Sequence, residues 1–371
     1  MSRARDFADL ASAYSGGALA NRNIVDNGNF AVHQRGGTIT GLGDTNLDRW
    51  KTSDSGNIDN LTIEITQSAD TPDGVGDGYS LKYQTKTEES DVAADEFVRF
   101  MQVVEAQDLA RLCYGTSSAK SVTLSFWVKS SLTGTFGVSL YQEDGDDIIG
   151  STYAISSADT WEKKTVTFSG NTSQAITIDT GAGFYVQWGL WVGSNFTGTS
   201  SSSWGSYAAA KLFNGHTQNG LGTTDESTWQ LAFVQLELGE VATAFEHISI
   251  SDNLAKCQRY FWRVEASGNN STRFATGQAY TTTGGETYHY PPVTMRAIPA
   301  VGQTGTASNY AFYEANSTIA CSGVPTVSSG RSKYLQVLYT NVSSGLTAGR
   351  ALSLMANSTT AAYIDFNAEL S

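Results

Sequence analysis

Apolar and polar side chains alternate with a period of two through most of this chain, from about Asn23 onward. In SVTLSFWVKSS, Val122, Leu124, Phe126 and Val128 fall on one side, and Thr123, Ser125, Trp127 and Lys129 on the other. GTFGVSLYQEDG sets Phe136, Val138 and Leu140 inward and Tyr141 outward, and KKTVTFSG does the same with Val166 and Phe168. GFYVQWGLWVG opposes Phe184, Val186, Trp188, Leu190 and Val192 to Tyr185, Gln187, Gly189 and Trp191. QLAFVQLELG adds another such run. Successive side chains of a strand point to opposite faces, so each run predicts a strand with one buried face. Many short strands separated by polar turns predict an all-β protein built as an antiparallel sandwich.

The pattern changes in three places. Near the start, Phe7, Leu10, Ala11 and Tyr14 fall at i, i+3, i+4 and i+7, which predicts a short helix with one apolar stripe. Such a helix is marginal alone in water, so residues 1–22 are expected to dock on a partner or on copies of themselves, the alternative being a helix folded back on its own domain. The polar segment GSNFTGTSSSSWGSYAAAKLFNGHTQNG reads as a surface excursion anchored by Trp204 and Tyr207. SDNLAKCQRYFWRV predicts a helical turn and strand over 251–265, with Ser251 or Asp252 as N-cap. That connector separates a first β-domain, 23–250, from a second β-sandwich, 266–371. Pro291 and Pro292 should end a strand there, since neither donates to a ladder.

Composition narrows the function classes. Of 371 residues, 37 are Gly and only 5 Pro, which suits tight hairpin turns. The net charge is −13, with no run of Lys or Arg, so nucleic acid is not expected as a partner. No apolar run is long enough to span a bilayer. The first twenty residues are too polar for a signal-peptide core, so synthesis in a cytoplasm is expected. Cys113, Cys257 and Cys321 are widely spaced and read as buried free thiols.

VDNGNFAVHQRGG looks at first like chemistry, with His33, Gln34 and Arg35 in a row. No nucleophile elbow, HExxH helix or phosphate loop accompanies it. It reads better as a turn over Asp26–Asn29 entering a strand, Phe30 and Val32 inward, with Arg35 or Arg49 reaching Asp48. His33, His216, His247 and His289 lack metal-ligand spacing, and EDGDD reads as a solvated hairpin tip. No metal, cofactor or catalytic residue is expected.

Binding is the better expectation. Trp127, Tyr141, Tyr185, Gln187 and Trp191 all occupy the polar phase of their strands and are expected to share one carbohydrate-binding face. The competing expectation is that these rings pack under loops or against a neighbouring subunit. A rival, distal receptor-facing set is Tyr280, Tyr288, His289, Tyr290, Tyr310 and Tyr313.

The series NGNFAVHQRG, DRW, VTLSFWVKSS, WEKKTVTF, AFVQLELGEVATAFEH and LAKCQRYF resembles tailed-bacteriophage tail fibres and related virion fibres. SRARDFADLAS looks like the attachment segment of such fibres, and AAYIDFNAEL is similar to the end of many fibre C-terminal domains. The motifs cover residues 1 to about 265 and only the ends beyond. The resemblance implies a homotrimeric virion fibre, attached through its N-terminal segment to tail or baseplate proteins. It implies a first domain with a jelly roll like carbohydrate-binding modules, and recognition of a host-surface glycan. Where many such modules carry a structural calcium, this chain offers Asn27, Asn29 and Gln235 without an acidic pair. A spacer or adaptor contacting only virion proteins, a polysaccharide depolymerase and a free-standing bacterial carbohydrate-binding module are the alternatives.

Overall fold

The computed structural model describes residues 21–42, 47–198, 202–266 and 271–370. The expected helix bearing Phe7, Leu10, Ala11 and Tyr14 lies outside them. The chain divides into two compact units, one running to Asn253 and one covering Leu254–Glu369.

The first unit contributes β1 (Ile39–Thr40), β2 (Trp50–Ser55), β3 (Thr62–Ser68), β4 (Ser80–Thr87), β5 (Phe97–Glu105) and β6 (Val122–Ser130). It continues with β7 (Gly134–Gln142), β8 (Asp147–Ile155), β9 (Glu162–Phe168), β10 (Ala182–Val192), β11 (Gly205–Ser206) and β12 (Thr228–Leu238). Among the described residues these form two six-stranded antiparallel sheets, ordered β1-β3-β4-β12-β6-β9 and β11-β8-β7-β10-β5-β2. The pairs β7–β8, β6–β9, β5–β10 and β4–β12 nest inside one another and alternate between the sheets. A long two-stranded ribbon rolled on itself in this way is a jelly roll.

The alternation read from the sequence explains the packing. Phe126 of β6 and Trp188 of β10 point into the space between the sheets and meet edge-on at 5.6 Å. Trp50 of β2 stacks on Phe100 of β5 at 5.2 Å, and Trp229 of β12 is fully buried beside them. Offset and edge-on rings gain from their quadrupoles as well as from burial.

The opening motif departs from the expected strand. Asp26–Asn29 do turn, but Phe30 sits at φ 51°, which breaks the extended backbone, and residues 30–33 form no strand. Phe30 and Val32 are nevertheless buried. Cys113, expected inside, is exposed.

The helix Ile250–Gln258 begins two or three residues earlier than expected. Ser249, not Ser251 or Asp252, caps it, its Oγ accepting the Asp252 N–H at 3.1 Å. The second unit then contributes β13 (Phe261–Glu265), β14 (Arg273–Ala279), β15 (Gly284–His289), β16 (Ala300–Gln303) and β17 (Tyr310–Glu314). It ends with β18 (Ser317–Ala320), β19 (Thr326–Val327), β20 (Gln336–Asn341), β21 (Ala351–Ala356) and β22 (Tyr363–Asn367). A three-stranded sheet, β13-β22-β16, and a seven-stranded sheet, β18-β17-β21-β14-β15-β20-β19, enclose Tyr310, Phe312, Leu338, Leu354, Ile364 and Phe366. β13, expected in a connector, belongs to this unit through its pairing with β22.

Candidate functional site

The outer face of the β7–β10–β5 sheet gathers the most suggestive side chains of the first unit. Tyr141 and Tyr185 are register partners on β7 and β10, with ring centroids 5.5 Å apart. Tyr207, from the segment after β10, closes edge-on against Tyr141, also at 5.5 Å. The Tyr141 hydroxyl donates to Asp146 Oδ1 (2.9 Å) in the turn joining β7 to β8. Burial, reinforced by the Glu143 carboxylate, pushes the Tyr185 hydroxyl up to about 12. Burial raises that of Tyr141 as well, so both remain neutral donors at neutral pH.

The next row along the same face is polar. Gln187 of β10 lies opposite Ser139 of β7, and Arg99 of β5 lies opposite Gly189. Arg99 Nη1 donates to Gln187 Oε1 at 2.6 Å, and burial lowers the affinity of its guanidinium for its proton. Gln187 Nε2 and Ser139 Oγ are buried without a protein partner among the described residues. Both residues are fully buried, so this row lies beneath the surface of the face and not open to solvent.

Two residues of the expected face are elsewhere. Trp127 lies on β6, in the other sheet, so its outward side chain points to the opposite side of the sandwich. Trp191 is fully buried in the core. A bulge explains it: Gly189 pairs with Arg99 but Trp191 with Val98, so Leu190 is an extra residue and the phase inverts beyond it.

The polar segment after β10 is anchored more firmly than Trp204 and Tyr207 suggested. Phe196, Leu212 and Phe213 bury against Phe97, Ile148 and Val192 on this same outer face. Gly137 of β7 and Gly189 of β10 make room for it. A Cβ on either would fall 2.8 Å from a Phe213 side-chain carbon. Arg99 and Ser139 were missed as site residues although period two places both on the outward phase.

The distal set does not converge as a whole. Tyr310 and His289 are core residues: the Tyr310 hydroxyl donates to the Tyr363 carbonyl at 2.6 Å, and His289 lies 5.4 Å from the Phe366 ring. Tyr280 and Tyr290 are exposed but away from the strand faces. Tyr313 and Tyr288 do share one cross-strand row, Tyr313–Ser353–Thr276–Tyr288.

The opening motif forms a structural corner. Asp48 accepts from the Gln34 backbone N–H (2.7 Å) and Gln34 Nε2 (2.6 Å), with Arg35 Nη1 3.9 Å away. Arg49 instead faces Asp26 (3.4 Å) and the Val103 carbonyl (2.7 Å). Asn27 and Asn29 both accept from Asn253 Nδ2, and Gln235 Oε1 accepts the Glu246 N–H. These amide groups therefore tie the start and end of the unit together.

No protein-family model and no curated protein matches the chain. Among solved structures it is similar to the enzymatically active domain of tailspike protein 4 of bacteriophage CBA120, at 14% identity and TM-score 0.32, covering 58% of this chain and 21% of that one. It is also similar to a xylan-binding domain of a Paenibacillus barcinonensis protein, at 13% identity and TM-score 0.30, covering 61% of this chain and all of that one. A third is the family 11 carbohydrate-binding module from Clostridium thermocellum in complex with a mixed-linked tetrasaccharide, at 9% identity and TM-score 0.28, with 57% and 98% covered. The chain thus spans about a fifth of the tailspike domain's length and nearly all of the two modules.

Proposed function

We propose that this chain is a tailed-phage fibre protein that binds a cell-surface glycan without cleaving it, through the outer face of β7, β10 and β5. One observation carries the glycan reading: the Tyr141, Tyr185 and Tyr207 rings cluster on one outer face, with Tyr207 exposed. Rings supply flat apolar area for the C–H face of a sugar, and amide and hydroxyl groups fix its orientation. The fibre reading rests on the motif series from NGNFAVHQRG to LAKCQRYF. On this reading residues 1–22 attach a homotrimer to tail or baseplate proteins, and the protein works on the virion after synthesis in the host cytoplasm.

Glycan-array binding by the full chain tests the site. The Tyr141→Ala/Tyr185→Ala double variant should lose binding by roughly tenfold or more while its melting transition remains cooperative. Undiminished binding would remove the face from consideration. Loss of polysaccharide viscosity on incubation would replace binding with depolymerisation. Binding to virion proteins alone would make the chain a spacer, and a monomer mass in solution would end the trimer reading.

A further inference from the structure

The outer face of the seven-stranded sheet in the second unit carries an open groove of about 530 Å³. Its floor is the row Tyr313–Ser353–Thr276–Tyr288, running across β17, β21, β14 and β15. Two rings therefore stand at the ends of the row and two hydroxyl side chains between them. Three strand spacings separate the ends, about 14 Å. Gly277 and Ala351, beside the row, add no bulk that would fill the groove.

Arg273 is the one charged residue among those described that line the groove. Its guanidinium lies 4.2 Å from the centre of the Tyr313 ring, and Nη1 donates to Ser353 Oγ at 3.3 Å. Among the described residues no carboxylate forms an ion pair with it. Glu286, two residues from Tyr288 on the same strand face, is engaged by Ser328 Oγ (2.7 Å) instead. Stacking fixes the plane of the guanidinium and leaves N–H donors in its fork for a second, planar acceptor.

Tyr313 is itself held in place. Its hydroxyl donates to Asn316 Oδ1 at 3.1 Å, across the turn joining β17 to β18. That turn sets Ala315 and Asn316 at φ 48° and 66°. Left-handed backbone is strained for an alanine, so the groove's rim is a tight, conformationally fixed turn.

We infer that this groove binds a carboxylate-bearing sugar, with Tyr288 and Tyr313 against its C–H faces and Arg273 on its carboxylate. The carboxylate matches a guanidinium fork in charge and plane, and the intervening hydroxyls match the ring hydroxyls of a pyranose. This site is separate from the face of β7, β10 and β5.

The experiment titrates the full chain with trigalacturonate and with its methyl ester, which keeps the rings and removes the charge. The acid should bind roughly five- to tenfold tighter than the ester, with the gap closing at high salt. Arg273→Gln should abolish the difference, and Tyr313→Leu should weaken both forms. Tyr141→Ala/Tyr185→Ala should leave the difference intact, so that failure of one site is not failure of the other. Equal binding of acid and ester, a difference that survives Arg273→Gln, or no binding of the acid up to about 10 mM would each overturn the inference. Arg273 is exposed, so the variant should keep the melting curve of the unaltered protein, which checks that its fold is intact.

Discussion

His216 makes two hydrogen bonds that only a neutral imidazole can make together. Its Nδ1 accepts the Gly137 backbone N–H at 3.1 Å, while Nε2 faces the Gln218 carbonyl at 2.5 Å and so carries the proton. Protonating Nδ1 would set two donors against each other in a buried site. Burial pushes His216 down to about 4, and His289, beside Phe366 in the second unit, down to about 4 as well. In the unfolded chain each returns to about 6.5. The folded pKa lies below the unfolded one, so both groups are neutral in both states above pH 6.5 and stability is complete there. Between pH 6.5 and 4 the unfolded chain takes up protons that the native state refuses, and each site loses roughly 3 kcal/mol. Melting temperature should therefore fall across that window. His289→Phe should flatten the fall for the second unit alone, and an unchanged slope in that variant would show that His289 does not contribute. The sequence reads both histidines as structural or exposed and does not separate the two. In ETYHY, His289 simply takes the inward phase that an apolar residue would take.

The strand elements were legible where period two is unbroken. β6, β7 and β9 lie where SVTLSFWVKSS, GTFGVSLYQ and KKTVTF place them, because one buried face enforces the alternation. Periodicity does not report which sheet a strand joins, so it grouped Trp127 with Tyr141 although they lie in different sheets. Nor does it report a bulge, so it misplaced Trp191. The segment after β10 hid its anchors for a different reason: Phe196, Leu212 and Phe213 are isolated apolar residues in polar surroundings, without a repeat to read. Their seat is legible only once Gly137 and Gly189 are known to be neighbours on adjacent strands. Phe213→Ala should cost about 3 kcal/mol, and Gly189→Ala should dislodge the same segment by pressing a methyl group into the Phe213 ring. Limited proteolysis should then cut within 194–219 while the sheets resist. Protection equal to that of the unaltered protein would show that this seat does not hold the segment.

Each of the two units has its own apolar centre, one built on Trp50, Phe100, Phe126, Trp188 and Trp229 and the other on Tyr310, Phe312, Leu354, Ile364 and Phe366. The sequence marks two β-rich stretches and puts a connector, 251–265, between them, within which the boundary falls. The structure places it after Asn253, because β13 completes the three-stranded sheet of the second unit by pairing with β22. The difference has a practical consequence. A fragment beginning at 266 would lack β13, exposing the β22 edge and the Trp262–Phe366 stack, whose rings lie 4.8 Å apart. A fragment of residues 250–371 keeps that strand, the helix Ile250–Gln258 and the Tyr260 carbonyl that accepts the Ala368 N–H at 2.7 Å. A sheet with its partner strands and a closed core meets the usual requirements of an independent domain. The 250–371 fragment should therefore unfold cooperatively on heating, and the fragment starting at 266 should bind a hydrophobic dye and melt without a clear transition. Cooperative melting of both would make β13 dispensable, whereas melting of neither would mean that the second unit depends on the rest of the chain to fold.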